Sequence, residues 1–452
     1  MHGSAVRVAV PAGAFSQVTT EGYGMGFVKK QFLLGSVVLA CVAQTNAGMV
    51  DEKLLDMLLA NGAITGAQHA ELMGDLARES RGATRANSEV PDKKDFVAFR
   101  SAAGWVENTV LRGDVRVRHE SIDIRGEPDF TGSRNKDRQR LRARLGAFTK
   151  INPEVATGIR IASGSGPDRR SLMQDMDNYF DKKAAWLDLA YIDYTPTAVP
   201  GLRISAGKMK QPWMAVAEVA WDADINPEGL AFAYTRKSGT VTLFGSVGYY
   251  TMNDGVDGDG FEFRNDLSLY HLQIGSGFDV GKRVHLTLGG SLFGFDNEQF
   301  GSTSAFRANG NSTDRFGLNE LFMQADVTGL PLPLSVYAQY VRNRDARDFG
   351  AALDGDQDAA YLIGLRSSIE RLALDYSYRD VEANAVVGGL TESDFAAGYT
   401  NSSGHKLKLS YGILENFTIG ATWFMAESDA ASSRGLRGAD IDALQIDLDA
   451  RF

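Results

Sequence analysis

From residue 109 to the C-terminus the chain alternates apolar and polar positions with a period of two. In segment 110–120, Leu111, Gly113, Val115 and Val117 share one parity, and Arg112, Asp114, Arg116 and Arg118 share the other. An extended strand sends the two sets to opposite faces, so one face needs apolar surroundings and the other needs water. Similar segments recur at 141–150, 155–163, 185–194, 202–209, 230–236, 241–250, 267–278, 284–295, 320–327, 334–342, 360–369, 372–381, 406–413, 417–426 and 441–452, making sixteen in all. Leu362 falls on the polar side of its segment, and 202–209 becomes ambiguous at Lys208.

The connections alternate between long and short. Long ones are 121–137, 164–183, 210–227, 251–266, 296–319, 343–358, 382–404 and 428–440, with tight turns such as 237–239, 280–283, 370–371 and 414–416 between them. A soluble sandwich has no reason to sort its loops, whereas an outer-membrane barrel carries long external loops and short periplasmic turns. The pattern therefore predicts an all-β fold, a 16-stranded antiparallel transmembrane β-barrel over 109–452, with both termini on the short-turn side. The faces agree. Leu372, Leu374, Tyr376 and Tyr378 share one parity, as do Leu407, Leu409, Tyr411 and Ile413, while their alternates include Asp375, Arg379, Lys406 and Lys408. An open aqueous lumen is expected, with a protease cutting the external loops 121–137 or 382–404 and sparing Lys237-Ser238. On the last segment Leu444, Ile446, Leu448 and the terminal Phe452 point outward, resembling the assembly signal of bacterial outer-membrane barrels.

Ahead of the barrel the period changes. Lys29 and Lys30 precede an apolar run at 32–43, followed by small residues to Ala47, the order of a secretory signal peptide. Residues 1–47 are read as an upstream segment and signal peptide, with Met25 the true start; a lipoprotein modified at Cys41 is the alternative. Leu54, Leu55, Leu58 and Leu59 recur at helical spacing, Asn61-Gly62 breaks the run, and Thr65 to Gln68 has capping-box spacing, so 48–80 reads as a short periplasmic helical hairpin. It serves oligomerisation or docking, or else its two helices merely cover each other's leucines. Residues 81–108, polar and containing Pro91, read as a linker.

Composition narrows the classes further. The apolar run at 32–43 is the longest in the 452 residues and is too short to span a membrane as a helix. The formal charge of −10 becomes −12 once 1–47 is removed, since Arg7, Lys29, Lys30 and Glu21 leave with it; no nucleic-acid partner is expected. Cys41 is the only cysteine, so a processed chain has no disulfide and no thiolate chemistry. No cofactor or metal is expected. Asp354, Asp356 and Asp358, and Asp254, Asp257 and Asp259, have part of a calcium-loop spacing without its late glutamate. His271 and His285 both face inward by parity but at opposite heights, and no catalytic motif appears, which speaks against an enzyme such as an outer-membrane phospholipase.

Three stretches carry a family resemblance: 207–213 (Gly-Lys-Met-Lys-Gln-Pro-Trp) followed by 221–229 (Trp-Asp-Ala-Asp-Ile-Asn-Pro-Glu-Gly); 393–395 followed by 398–404; and the arginine-rich 138–145. On these the chain resembles the putative-porin family of the bacterial outer membrane, related to the phosphate-selective porins O and P. The resemblance implies a homotrimer embedded in outer-membrane lipid, with a third external loop, here 210–227, folding inward to narrow the channel. The acidic net charge departs from the phosphate-selective branch.

Selectivity in so wide a barrel must come from rings of charge and an infolded loop. Arg112, Arg116 and Arg118 on the first strand and Arg138, Arg140, Arg142 and Arg144 on the second form a candidate basic wall. Glu218, Asp222, Asp224 and Glu228 on or beside the candidate constriction loop oppose it. The alternative is that the arginines pair with Asp447 and Asp449 on the last strand, which must neighbour the first. Trp213 and Trp221 either anchor loop packing or bind a sugar. The expected function is a passive diffusion channel for small hydrophilic solutes or ions, weakly anion-preferring; the alternative is a structural or adhesive barrel with little conductance.

Overall fold

The computed structural model describes residues 107–126, 135–166, 168–253, 266–297, 306, 309–346, 357–429 and 438–452. The signal peptide, the helical hairpin, nearly all of the linker, and the aspartates at 254, 257, 259, 354 and 356 lie outside the described residues.

The strands are β1 (Thr109–Arg125), β2 (Lys136–Lys150), β3 (Val155–Ser163), the two-residue β4 (Gln174–Asp175), β5 (Ala185–Tyr194), β6 (Leu202–Lys208), β7 (Glu228–Ser238), β8 (Val241–Asn253) and β9 (Leu267–Val280). They continue with β10 (Val284–Asp296), β11 (Gly317–Val327), β12 (Leu334–Asn343), β13 (Ala359–Ile369), β14 (Leu372–Val381), β15 (Ser402–Leu414), β16 (Phe417–Ser428) and β17 (Ala439–Arg451). Leaving out β4, which pairs only with β2 at Arg140 and Leu141, sixteen long strands pair antiparallel in sequence order. β17 then pairs with β1 from Asp114↔Arg451 to Arg125↔Asp440 and closes the ring. Closure removes both sheet edges, which is what lets a sheet sit in hydrocarbon. Each sequence segment of the alternation coincides with one of these strands to within a few residues at either end.

Burial is inverted relative to a soluble protein. On β1, Val115 and Val117 are 43% and 38% exposed, while Arg118 and Glu120 are 5% and 1% exposed. The outward face is an apolar belt with tyrosines near both ends of the strands: Tyr249, Tyr270, Tyr340 and Tyr361 toward the long loops, Tyr194, Tyr234 and Tyr411 toward the short turns. Such girdles mark the two interfaces of a membrane barrel. The short turns need positive φ at one residue, supplied by Gly239 (61°), Glu370 (49°) and Asn416 (59°).

Two loops, not one, turn into the barrel. Loop 209–227 crosses to the far wall: the Met214 N–H donates to Gln273 Oε1 on β9 (2.7 Å) and the Val219 N–H to Gln339 Oε1 on β12 (3.2 Å). There Trp213, Val219 and Trp221 pack with Phe293, Phe295, Phe316, Leu318 and Leu362 of the wall. Loop 382–401, expected to stand outside open to protease, joins them instead, with Val386, Val387 and Leu390 in the same cluster. The reason is its composition: residues 383–391 carry no charge, and each fully buried aliphatic side chain contributes about 1.5–3 kcal/mol. The expected open lumen is therefore corrected. On the side of β8 to β13 an apolar plug fills the long-loop half, which also explains why Leu362 faces inward.

Candidate functional site

Opposite the plug, β1, β2, β15 and β17 line the lumen with charge. Parity brings Arg116, Arg118, Arg140, Arg142 and Arg144 together on one inner wall, as the sequence predicts; ring closure supplies carboxylates to Arg116 and Arg118, and β1 and β4 supply those of the other three. Arg116 forks onto Asp449 (2.8 to 3.1 Å) and Arg118 onto Asp447 (2.7 and 3.0 Å). Asp114 holds Arg142 (2.9 Å) and Arg144 (2.6 Å). Arg140 lies 3.0 Å from Asp175 of β4, and Arg138 pairs with Glu120. Arg112 is different: it is exposed, and its guanidinium lies 5.9 Å from the Phe148 ring centroid.

Loop 209–227 brings its acids up to this wall. The Asp222 N–H donates to Leu390 O (2.8 Å), and Asp222 Oδ2 accepts from the Ser393 N–H (2.9 Å), so the two infolded loops are tied at that residue. A third segment, 164–184, contributes Arg170, whose Nη1 donates to Gly388 O (2.8 Å) and Gly398 O (3.1 Å). Burial, and then the neighbouring Glu218, pushes the Asp222 carboxyl up to about 8. Burial followed by Glu392 raises Glu218 as well. Burial would raise Asp394 too, but the Arg118 guanidinium at 3.1 Å holds it below the ordinary carboxylate range. Burial, with Arg160 nearby, brings the Lys210 ammonium down to about 8.

The two sides meet in a cavity of about 170 Å³ lined by Arg116, Arg118, Arg142, Glu218, Asp222 and Asp224 among others. Glu228 does not join them. It is the first residue of β7 and it pairs with Lys208 at 2.6 Å. Sequence reasoning missed several charged groups lining the same cavity: Arg170, Glu392, Asp394, Lys406 and Lys408. Glu392 is held by Lys406 (2.5 Å) and by the buried Arg379 (3.2 Å). Lys408 stands opposite Asp375 in register, but Asp375 is taken by Arg366 (2.7 Å) and Tyr337 (2.5 Å). The alternation of 406–413 already placed both lysines inward, and that was the available signal.

Trp213 and Trp221 are packed, their rings 5.3 Å apart and 5.2 and 5.1 Å from Phe293. His271 is buried between Ser246 and Tyr250, at 2.9 and 3.0 Å. Eight positions along β9, His285 meets Asp279, so the two histidines are far apart as expected. Among the described residues no three His, Cys, Asp or Glu are placed to hold a metal ion.

A family profile described as Putative porin matches residues 124–375 and 373–452. The chain belongs to this porin family. Family and fold are those of outer-membrane channel proteins and not of enzymes. No curated protein matches the porin's sequence. Among solved structures it is similar to the high-pH structure of Pseudomonas putida OprB, at 11% identity and TM-score 0.49, covering 79% of this chain and 97% of that one. It is also similar to Salmonella typhi OmpF in complex with daunomycin (12%, TM-score 0.45, 76% and 97%) and to a double mutant of Rh. blastica porin (10%, TM-score 0.41, 75% and 99%).

Proposed function

We propose that the porin is a passive diffusion channel for small hydrophilic solutes and ions, with a weak preference for anions set in the zone between the basic wall and loop 209–227. The observation that carries the preference is Lys408. It lines the narrow cavity, is exposed, and has no hydrogen bond or ion pair among the described residues, whereas the arginines beside it are matched by carboxylates. Charges lining a constriction act through a poorly screened path, while loop charges beyond about 8 Å are damped at physiological salt. Lys408, the cation of this lining left without a partner among the described residues, therefore counts for more than the net charge of −10.

Reversal potential in asymmetric salt across a planar bilayer tests this reading. Lys408→Gln is expected to move the potential toward cations, and Arg140→Ala with Arg142→Ala to move it less. An unmoved potential in Lys408→Gln overturns the assignment. Phosphate as a preferred solute has no support in this geometry. The apolar plug favours one competing reading, a structural barrel with little conductance; a single-channel conductance near zero decides for it. The outward apolar belt supports contact with outer-membrane lipid, and the family resemblance supports assembly as a homotrimer, to be tested by chemical cross-linking in native membranes.

A further inference from the structure

Glu320, near the long-loop end of β11, is buried at 3% exposure and forms no ion pair among the described residues. A carboxylate buried without a cation is costly unless hydrogen bonds hold it. Two donors do so here: Ser291 Oγ on β10 donates to Glu320 Oε2, and Gln339 Nε2 on β12 donates to Glu320 Oε1. The bonds continue on both sides. Gln273, Ser291 and Glu320 stand opposite one another in register on β9, β10 and β11, and Gln273 Nε2 donates to Ser291 Oγ (3.0 Å). Both glutamines end on loop 209–227. Gln339 Oε1 accepts the Val219 N–H (3.2 Å), while Gln273 Oε1 accepts the Met214 N–H (2.7 Å) and Gln273 Nε2 donates to Met214 O (2.8 Å). Gln273, Ser291 and Gln339 are as buried as Glu320, so water does not stand in for any of these partners.

As a carboxylate Glu320 can only accept, and it therefore gives the whole row one direction. It turns the Gln339 NH2 toward itself and leaves the amide oxygen facing the Val219 N–H. It takes the single Ser291 hydroxyl proton and leaves the serine oxygen to accept from Gln273. An amide reversed at either glutamine would set N–H against the N–H of Met214 or Val219 and leave both buried donors unpaired, which is the expensive outcome.

We propose that Glu320 is a positioning residue: it sets the hydrogen-bond direction of Gln273 and Gln339, and through them holds loop 209–227 against the wall and fixes the bore of the channel. Glu320 does not itself line the narrow cavity beside the basic wall, so it acts on the solute path through the loop. The effect on the bore rests on the channel reading, but the position of the loop is measured without it.

Ala220, beside Val219, is 1% exposed, and Cys41 is the only cysteine of the chain, so Cys41→Ser with Ala220→Cys provides one thiol that reports whether the loop is docked. Labelling of this parent by a charged maleimide is timed on purified protein in detergent, and single-channel conductance is recorded on the same samples. Glu320→Gln sets an NH2 against one of the two donors, so labelling should quicken about ten-fold and the conductance should become larger and noisier. Adding Gln339→Glu reverses one bond of the row. The new amide donates to the new carboxylate, whose other oxygen still accepts from Val219, and Ser291 still donates to the amide oxygen. Labelling and conductance of this double variant should return to those of the parent.

An unmoved labelling rate in folded Glu320→Gln overturns the proposal, and so does a double variant that labels as fast as Glu320→Gln. A conducting channel whose conductance ignores a changed labelling rate overturns it too. Should Glu320→Gln lose the heat-modifiable form, Glu320→Asp, which draws the carboxylate back by one methylene, is judged instead; its labelling should quicken about three-fold, and an unchanged rate overturns the proposal. Labelling that rises and returns in a barrel that conducts in no variant upholds the positioning role and overturns the channel reading instead.

Discussion

Arg118 on β1 and Asp447 on β17 stand opposite each other in register, with 2.7 Å between Nε and Oδ1, across the seam where the last strand meets the first. Arg116 and Asp449 repeat the arrangement two residues away. The charge of these two arginines is thus spent on closing the barrel, and with the others held by Asp114, Glu120 and Asp175, much less of it faces a passing ion than their number suggests.

The seam pairs should matter for stability. Asp447→Asn leaves Arg118, which is 5% exposed, with Asp394 at 3.1 Å and the more distant Glu120 at 3.9 Å. Breaking a buried pair on one side costs on the order of 3 kcal/mol. The urea midpoint of the folded protein in detergent should fall accordingly. A midpoint equal to that of the unaltered protein would show that the pair contributes nothing to closure.

Phe452 completes the same seam. Gly113 and Phe452 exchange backbone hydrogen bonds at 2.8 and 3.0 Å, and a Cβ on Gly113 would come within 2.5 Å of the Phe452 ring. Deleting Phe452 should lower the heat-modifiable folded species in outer membranes, and Gly113→Val should do so through the clash. Normal accumulation of the deletion variant would sink the reading of Phe452 as an assembly signal.

Ion preference should depend on pH around 8. Asp222 is pushed up to about 8 and Lys210 down to about 8, both by burial, and Glu218 is raised as well. As pH climbs through this range the two acids gain negative charge and the lysine loses positive charge, so every change makes the narrow zone more negative. Arg170, Lys406, Arg116, Asp394 and Glu392 line the same cavity and face these groups. Reversal potential should therefore shift toward cations between about pH 6 and pH 9.5. Asp222→Asn with Glu218→Gln should flatten the shift; an equal shift in that variant refutes the assignment.

Infolding of loop 382–401 should be visible to chymotrypsin. Tyr179 and Phe180, in segment 164–184, are fully exposed, whereas Phe395 is 0% exposed. Added to intact cells, the protease should cut after Tyr179 or Phe180 and leave 382–401 whole. Early cleavage at Phe395 would mean that the loop stands outside.

Much of the architecture was legible in the sequence. Side chains alternate between faces at every residue of a strand, so the inner and outer sets could be read from a few positions at a time, and the sorting of loop lengths gave the hairpins and their even number. The inward arginines and lysines follow from the same local rule. Only the tertiary structure decided what those charges do. Arg118 and Asp447 are 329 residues apart and become neighbours only when the ring closes in one register. Lys408 is left alone because Arg366 and Tyr337 reach Asp375 first. Glu228 leaves the constriction because β7 begins there, two residues before the segment read from the alternation, and Lys208 on β6 takes its carboxylate; loop 382–401 enters the lumen because an apolar wall waits there to cover it. Alternation is written along the chain; pairing depends on register, closure and competition among partners that sequence proximity does not encode.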